Sequence, residues 1–193
     1  MAAALPYAIG AQMAFPHRQV VAFTGDGSLT MMLGDLATLV QHELPVKLIV
    51  LRNDTLGLIK WEQMVFIGNP EYGVDFTPVD FVKIAEGFGI PAVRIDEPRT
   101  CGSQLREALS RPGPALVEAV VDQNEPPLPP KVTRDQAKAL TQALVRGEED
   151  RKQIALSISR SFVDENTFEA SPYGFVERVK EKLTPGSGNG DAS

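Results

Sequence analysis

The stretch Gln19-Val-Val-Ala-Phe-Thr-Gly-Asp-Gly-Ser28 decides the fold of this chain. Residues 19–24 are a short apolar run that predicts a buried strand, and residues 29–41 carry apolar side chains at helical spacing. The Gly-Asp-Gly-Ser turn is therefore expected between the carboxyl end of a strand and the amino end of a helix. In open α/β sheets ligands bind at this place, and the free N–H groups of a helix start favour an anion there.

A second polar residue is expected beside this turn. Residues 46–52 predict the next strand, and Asn53 follows it directly. Because a strand, a crossover helix and a strand run in parallel, Asp26 and Asn53 are expected at neighbouring strand ends. A carboxylate beside an anion is favourable only when a divalent cation lies between them. Carboxylate, amide and diphosphate oxygens are ligands that suit Mg²⁺, at a distance of roughly 2.1 Å. The spacing predicts a site for Mg²⁺ and a diphosphate, and folding is expected to tolerate the loss of either strand-end residue.

The spacing also resembles the signature of a known family. Gly25-Asp26-Gly27, followed after 24 residues by Arg52-Asn53, is similar to the thiamine-diphosphate signature, in which Gly-Asp-Gly precedes Asn-Asn. Arg52 replaces the first asparagine, and Asn53 retains the second. The resemblance implies that Asp26, Asn53 and the backbone carbonyl of Thr55 hold Mg²⁺. It also implies that the cofactor bends over Met1 and contacts the following further residues: Gly25, Gly27, Ser28, Thr55, Leu56, Gly57, Leu58 and Ile59.

Within this family the chain looks most like the C-terminal, diphosphate-binding domain of pyruvate oxidases and quinone-dependent pyruvate dehydrogenases. The likeness extends from residue 1 to around residue 140 and includes residues 57–63 and 73–87. Glu62 matches a glutamate near the bound substrate and is the candidate catalytic residue; a solvated helix residue is the alternative. Acetolactate synthase-like enzymes are a second assignment, although Trp61 lies one position before the tryptophan that those relatives carry.

The composition limits the classes of function. The chain has 193 residues, of which 43% are hydrophobic and 23% charged, as in an ordinary soluble domain. Its net charge of −6 argues against binding to nucleic acid. The single cysteine, Cys101, excludes an internal disulfide and favours a reducing, cytoplasmic location. No apolar run approaches the roughly 18 residues that span a bilayer.

Strands that alternate with helices predict an α/β fold, here a three-layer sandwich around a parallel sheet with a helical C-terminal tail. Strands are expected at 19–24, 46–52, 91–95 and 114–122. Helices are expected at 2–14 with an interruption near Pro6, at 29–41, from a Thr77-Pro78 cap onward, and at 101–110. The predicted units are a cofactor- and Mg²⁺-binding domain at 1–124, a Pro-rich strap with helices at 125–184, and a disordered tail at 185–193. The helices of the second unit are expected at about 134–145, 149–162 and 172–183.

The resemblance implies an oxidoreductase that decarboxylates pyruvate or another 2-oxoacid, and whose cofactor is activated by a pyrimidine-binding domain of another subunit or chain. This sequence has no counterpart of three parts of such an enzyme: the pyrimidine-binding domain, the domain that carries FAD in the oxidases, and the first strand of the diphosphate domain. A truncated chain that is inactive alone is therefore expected.

Other functions are open alternatives. One is the separate β subunit of a two-chain 2-oxoacid decarboxylase, and another is a non-catalytic remnant that serves as an interaction surface. An unrelated nucleotide-binding domain is disfavoured, because neither Gly-x-x-x-x-Gly-Lys-Ser/Thr nor Gly-x-Gly-x-x-Gly, the two common phosphate-binding motifs, follows a strand. Ile154, Ile158 and Phe162 form an apolar stripe, so membrane contact through the C-terminal helices is an alternative to packing on the parent enzyme.

Overall fold

A computed structural model describes residues 1–125, 134–147, 150 and 152–155 of the chain. The strands are β1 (Val21–Gly25), β2 (Lys47–Arg52), β3 (Ala92–Ile95) and β4 (Ala115–Val120). They form one parallel sheet in the order β1-β2-β4-β3. The helices are α1 (Ala4–Ala14), α2 (Asp26–Thr30), α3 (Asp35–Gln41), α4 (Gly57–Glu62), α5 (Phe81–Gly87), α6 (Pro98–Ser110) and α7 (Arg134–Val145). A π-helical segment, Gln63–Ile67, continues α4.

Helices cover both faces of the sheet and give the fold its three layers. On one face Leu48, Val50 and Leu116 pack with buried side chains of α1, α3 and α5. On the other face Ile49 and Val117 pack with Ala108 and other side chains of α6. Consecutive residues of β2 are buried on opposite faces because strand side chains alternate, and burial on both faces is characteristic of a parallel sheet. The predicted α/β fold with a parallel sheet is confirmed.

The carboxyl ends of β1 and β2 lie side by side. Gly25 of β1 pairs in register with Leu51 of β2. Asp26 and Asn53 therefore leave the sheet at the same edge, from neighbouring strands. The register places the two halves of the sequence motif together.

Two helices near the start of the chain differ from those predicted. α1 begins at Ala4, so Pro6 lies in its first turn, where a missing N–H removes no intrahelical bond, and the helix is uninterrupted. Tyr7 and Met13 are exposed, so α1 buries one side only. The predicted helix 29–41 is divided into α2 and α3, because residues 31–34 form turns with i→i−3 hydrogen bonds.

The Thr77-Pro78 pair does not begin α5. Asp80 caps this helix, and its carboxylate accepts a hydrogen bond from the N–H of Lys83 at 3.0 Å. Glu118 of β4 accepts two more, from the N–H groups of Phe81 and Val82 at 3.0 and 3.3 Å. Two carboxylates thus satisfy the free donors of the first turn, which a Thr-Pro pair further upstream could not reach.

α7 packs on α4 and the π-helical segment rather than on the sheet. Trp61, Met64 and Val65 form a core cluster with Ala143 and Ile154. The helix predicted at 134–145 is present, and residues 152–155 are helical. Several predicted features lie outside the described residues: strap residues 126–133, the end of the helix at 149–162 with Ile158 and Phe162, the helix at 172–183, and the tail at 185–193. Within the described part of the chain, no helix combines the length and apolarity needed to cross a membrane.

Candidate functional site

The Asp26 carboxylate connects the two halves of the motif. Asp26 is 2% exposed. Its Oδ1 accepts a hydrogen bond from the N–H of Gly27 at 2.7 Å. Its Oδ2 accepts from the N–H groups of Asn53 and Asp54 at 2.9 and 2.7 Å. One carboxylate therefore holds the turn after β1 against the loop after β2.

This burial corrects the expectation that folding tolerates the loss of Asp26. Removing its carboxylate would leave three backbone N–H groups without this acceptor, and an unsatisfied buried group costs about 1–3 kcal/mol. Asn53 differs, because it is half-buried and its Oδ1 accepts one long hydrogen bond, from the N–H of Thr55 at 3.4 Å. Folding should still tolerate the loss of the Asn53 side chain.

The backbone carbonyl of Thr55 takes no part in the bridge that this residue forms with Asp75. Thr55 and Asp75 form an isolated antiparallel bridge. The bridge consists of two backbone hydrogen bonds made by the residues on either side of Thr55, at 2.9 and 3.2 Å. In such a pair the N–H and C=O of the central residue point away from the partner strand. The carbonyl of Thr55 is therefore not used by the bridge, and the N–H of Thr55 donates to Oδ1 of Asn53 at 3.4 Å.

Two glycines of the site have close neighbours. A Cβ atom on Gly27 would lie 2.9 Å from Cδ2 of Leu56 and 3.3 Å from the ring of Phe76. A Cβ atom on Gly57 would lie 3.1 Å from Nδ2 of Asn53. The turn, the loop and the start of α4 thus come together around Asn53, which explains why small residues occupy these positions.

The beginning of the chain contacts the same turn. The N–H of Ala2 donates to Oγ of Ser28 at 2.7 Å. Met1 precedes this contact and is 67% exposed. The structure therefore places Met1 near the Gly-Asp-Gly-Ser turn, with its side chain in solvent.

α4 has a buried and an exposed side. Lys60 and Trp61 are 0% and 3% exposed, whereas Leu58 and Ile59 are 71% and 39% exposed. Glu62 is exposed at the last position of the helix. Among the predicted site residues, the contacts above bring together Asp26, Gly27, Asn53, Thr55, Leu56 and Gly57. Ser28 meets the chain start, Gly25 is exposed beside the turn, and Leu58, Ile59 and Glu62 lie on the solvent side of α4.

Sequence reasoning missed a polar network that centres on Arg52. Arg52 binds both carboxylate oxygens of Asp54 and donates to Oε1 of Glu118 at 2.8 Å. Arg94 donates to the same oxygen at 2.8 Å. The hydrogen bonds that Arg52 donates to Asp54 and Glu118 raise its pKa, and the hydrogen bond that Arg94 donates to Glu118 raises the pKa of Arg94. The one signal in the sequence was Arg52 in place of the first asparagine of the signature.

A second missed cluster surrounds Lys60. Its Nζ lies 2.6 Å from Oε2 of Glu71 and donates to Oδ1 of Asn124 at 2.9 Å. Asp150 lies 3.9 Å away. The available signal was the helical alignment of Lys60 with Met64, because a lysine on the apolar side of a helix needs acidic partners.

The donor set around Asp26 suits a hard divalent cation. Oδ1 of Asp26 accepts a single N–H, so it retains a lone pair. Together with an amide oxygen of Asn53 and the carbonyl of Thr55, it offers oxygen ligands only, which favours Mg²⁺ or Ca²⁺ over softer metals. Among the described residues no group of three or more His, Cys, Asp or Glu side chains could hold a metal. A cation at Asp26 would therefore depend on further oxygens from a ligand or water.

Comparison with known proteins agrees with this geometry. Residues 1–119 match the model of the family described as "Thiamine pyrophosphate enzyme, C-terminal TPP binding domain". The chain is 36% identical to the "Putative thiamine pyrophosphate-containing protein YdaP" of Bacillus subtilis, over 76% of this chain and 25% of that protein. It is 37% identical to the acetolactate synthase isozyme 1 large subunit of Escherichia coli, over 65% of this chain and 23% of that protein.

A solved structure is similar to this fold. It is the thiamine diphosphate-dependent 4-hydroxybenzoylformate decarboxylase of Rhodococcus jostii RHA1, with a TM-score of 0.58 and 32% identity over 62% of this chain and 23% of that one. The chain thus spans a quarter or less of the length of these relatives. The narrower likeness to pyruvate oxidases stays a prediction. Through residues 1–119, the chain belongs to the thiamine pyrophosphate enzyme family and carries its C-terminal thiamine pyrophosphate-binding domain.

Proposed function

We propose that this chain binds thiamine diphosphate through Mg²⁺ and works within an enzyme that decarboxylates a 2-oxoacid. The observation that carries the proposal is the position of the Asp26 carboxylate. It joins the Gly-Asp-Gly turn to the Asn53 loop through hydrogen bonds of 2.7–2.9 Å, at the carboxyl edge of the sheet. The similar Rhodococcus protein supports the substrate class, since 4-hydroxybenzoylformate is itself a 2-oxoacid.

In this proposal Asp26, Asn53 and the carbonyl of Thr55 are the Mg²⁺ ligands, and Gly27 and Ser28 contact the diphosphate. Mg²⁺ commonly combines one or two carboxylates with phosphate oxygens and water, which matches a site with one carboxylate. Ser28 is suited to its role, because its Oγ already accepts the Ala2 N–H and its hydroxyl proton is left to donate to a phosphate oxygen.

The chemistry that thiamine diphosphate would supply is a nucleophilic carbon for the carbonyl of a 2-oxoacid and a sink for the electron pair left by CO₂. The residues of this chain bind and orient. Gly25 and the segment Thr55, Leu56, Gly57, Leu58 and Ile59 would contact the cofactor, and Met1 would support it. Glu62, exposed at the end of α4, is the proposed catalytic residue that holds or moves a proton beside the substrate.

An exposed apolar surface supports a partner at this site. Leu58, Phe66, Ile67 and Tyr72 are 71%, 69%, 63% and 87% exposed on α4 and the segment after it. Several exposed large apolar side chains within one segment favour an interaction site there. The proposed partner is the pyrimidine-binding domain of another subunit or chain, so the active form is an oligomer, which we place in the cytoplasm.

Two assignments of the whole enzyme remain. One is an oxidoreductase of the pyruvate oxidase type, with FAD in a domain outside these residues. The other is an enzyme of the acetolactate synthase type, which the 37% identity to the Escherichia coli large subunit and the 40% identity to acetolactate synthase 2 of Zea mays favour.

Titration calorimetry tests the binding of the cofactor. The wild-type chain should bind thiamine diphosphate with Mg²⁺ present and lose it when EDTA is added. Asn53→Ala should abolish the binding without unfolding the chain, because Asn53 is half-buried. Asp96→Ala, which removes an exposed carboxylate directly after β3, is the matched control and should bind as the wild type does. An unchanged affinity of Asn53→Ala for thiamine diphosphate would rule out the metal site. A wild-type chain that binds no thiamine diphosphate would favour the alternative of a non-catalytic interaction surface.

A further inference from the structure

We propose that Arg52 is a positioning residue, which holds the Asn53 loop in the shape that the Mg²⁺ ligands require by binding Asp54 and the buried Glu118 at once. The effect of Arg52 on metal binding rests on the proposed function above. The effect of Arg52 on the shape of the loop rests only on contacts around Asp54, which are present without any cofactor.

The shape of the loop depends on Asp54. This residue has a left-handed backbone conformation, with φ of 57°, which residues other than glycine adopt uncommonly. Its N–H and that of Asn53 both point to Oδ2 of Asp26. Successive N–H groups that converge in this way form the concave arrangement typical of backbone anion sites. The backbone at Asp54 therefore determines how Asn53 meets Asp26.

Arg52 fixes the side chain of Asp54. Its Nε and Nη2 donate to Oδ1 and Oδ2 of Asp54 at 2.9 and 3.2 Å. This two-point contact between a planar guanidinium and a carboxylate sets the direction of the carboxylate, which the point charge of a lysine would not do. Holding the side chain restricts the rotation of the backbone to which it is attached.

Glu118 anchors Arg52 to the sheet. Nη1 of Arg52 donates to Glu118 at 2.8 Å, and Glu118 is 0% exposed in β4. The carboxylate of Glu118 also binds Arg94 and the N–H of Phe81, so its own position is fixed. Ion pairs on the surface contribute little to stability. In this pair, however, the Glu118 side chain is fully buried and the Arg52 side chain is only 16% exposed. The loop is thereby connected to the rigid centre of the molecule.

Hydrogen exchange of the full 193-residue chain without cofactor tests the geometry. In Arg52→Gln the amides of Asn53 and Asp54 should exchange about tenfold faster or more, because the loop opens locally. Arg94→Gln is the matched control: it removes the other guanidinium from Glu118 and has no hydrogen bond to Asp54. In this control the two amides should keep their wild-type protection. Equal losses in both variants, or no loss in Arg52→Gln, would overturn the proposal.

A double-mutant cycle tests whether Arg52 acts through Asp54. Glycine adopts the left-handed conformation freely, so Asp54→Gly should keep the loop shape without Arg52. In the wild-type background Arg52→Gln should weaken the binding of Mn²⁺, used as the probe for Mg²⁺ with thiamine diphosphate, by about 10–100-fold. In the Asp54→Gly background the same change should have less than about a twofold effect. A full loss in both backgrounds would show that Arg52 acts by another route.

Two further measurements keep the outcomes distinct. If Arg52→Gln fails to fold by circular dichroism, Arg52→Lys takes its place, because it keeps a positive charge beside Glu118 and loses the two-point contact with Asp54; its Asn53 and Asp54 amides should exchange faster than in the wild type, and wild-type protection would overturn the proposal. If the wild-type chain binds no thiamine diphosphate, the proposed function fails, whereas the exchange rates of the Asn53 and Asp54 amides still decide the role of Arg52.

Discussion

Lys60 and Asn124 meet in the interior of the protein: Nζ of Lys60 donates to Oδ1 of Asn124 at 2.9 Å, and the two residues are 0% and 2% exposed. Glu71 supplies the negative charge, with its Oε2 at 2.6 Å from the same nitrogen. Asn124 in turn donates to Oε1 of Gln153 at 3.1 Å. The contact links α4, which starts at the candidate site, to the segment after β4 and to residues beyond α7. The C-terminal part of the chain thus supports the cofactor-binding region directly.

Lys60→Met should destabilise the protein by about 3–5 kcal/mol, because removing one member of a buried ion pair leaves the other uncompensated. Methionine keeps most of the volume of the side chain, so the loss reports on charge and hydrogen bonding rather than on a cavity. Urea unfolding measures the change. Lys83→Met is the control, since Lys83 is 81% exposed and should change stability by no more than about 0.5 kcal/mol. Similar effects of the two substitutions would show that the Lys60 cluster is not an important contact.

Gly27→Ala should destabilise the chain by about 1–3 kcal/mol, because the new methyl group would overlap with Leu56 and press on the ring of Phe76. It should also weaken the binding of thiamine diphosphate, since Leu56 must move. Gly34→Ala is the control: Gly34 has φ of −60° and open space around it, so alanine should be neutral or stabilise by about 0.4–1 kcal/mol. Thermal unfolding and calorimetry compare the two, and a Gly27→Ala variant as stable as Gly34→Ala would contradict the packing described for the turn.

The sequence was sufficient for the parts of the fold that local pattern determines. The apolar run before Gly25 and the run before Asn53 indicated neighbouring parallel strands, and the register of β1 with β2 places them so. The contacts of Arg52 with Glu118 and of Lys60 with Asn124 could not be predicted, because these partners lie 66 and 64 residues further along the chain. The spacing of residues within a strand or helix does not indicate contacts between residues so far apart in the sequence.

Two predicted helix boundaries were wrong for a related reason. A Thr-Pro pair is a good local start signal, yet α5 starts where Glu118, from a distant strand, can accept the N–H groups of its first turn. The break between α2 and α3 was also missed, because the apolar pattern over 29–41 is continuous while the backbone makes i→i−3 turns at 31–34. At the start of α5 a tertiary contact therefore outweighed the local signal.

The stability of the protein should depend on Asp80 in acid. A hydrogen bond from the N–H of Lys83 lowers the pKa of Asp80 below its ordinary value of 3.8. A carboxyl group whose pKa is lowered by folding stabilises the fold when ionised; this contribution is complete above the unfolded value and disappears as the pH falls through the folded one. Asp80→Ala should therefore lower Tm at about pH 6, and the difference from the wild type should shrink below about pH 3.8. Thermal unfolding across this range measures it, with Asp96→Ala as an exposed control; a constant difference down to acid unfolding would refute the linkage.

Asp26→Ala should destabilise the chain even without cofactor, by about 2–4 kcal/mol, because three N–H groups, in one buried and two part-buried hydrogen bonds, lose their acceptor. Asn53→Ala should cost less than about 1 kcal/mol, since the lost hydrogen bond is long and the residue half-buried. Domains of this kind have about 5–15 kcal/mol of stability, so both variants should stay folded.

Urea unfolding with and without cofactor then separates the two roles of Asp26. At a hundred times the Kd of thiamine diphosphate with Mg²⁺, the wild type should gain about 2.7 kcal/mol, and neither variant should gain any. A loss of cofactor stabilisation in both, with a loss of intrinsic stability in Asp26→Ala alone, is the expected pattern. If Asp26→Ala were as stable as the wild type in the absence of cofactor, the carboxylate would not be what holds the Asn53 loop against the turn, because its three N–H donors would then have other acceptors.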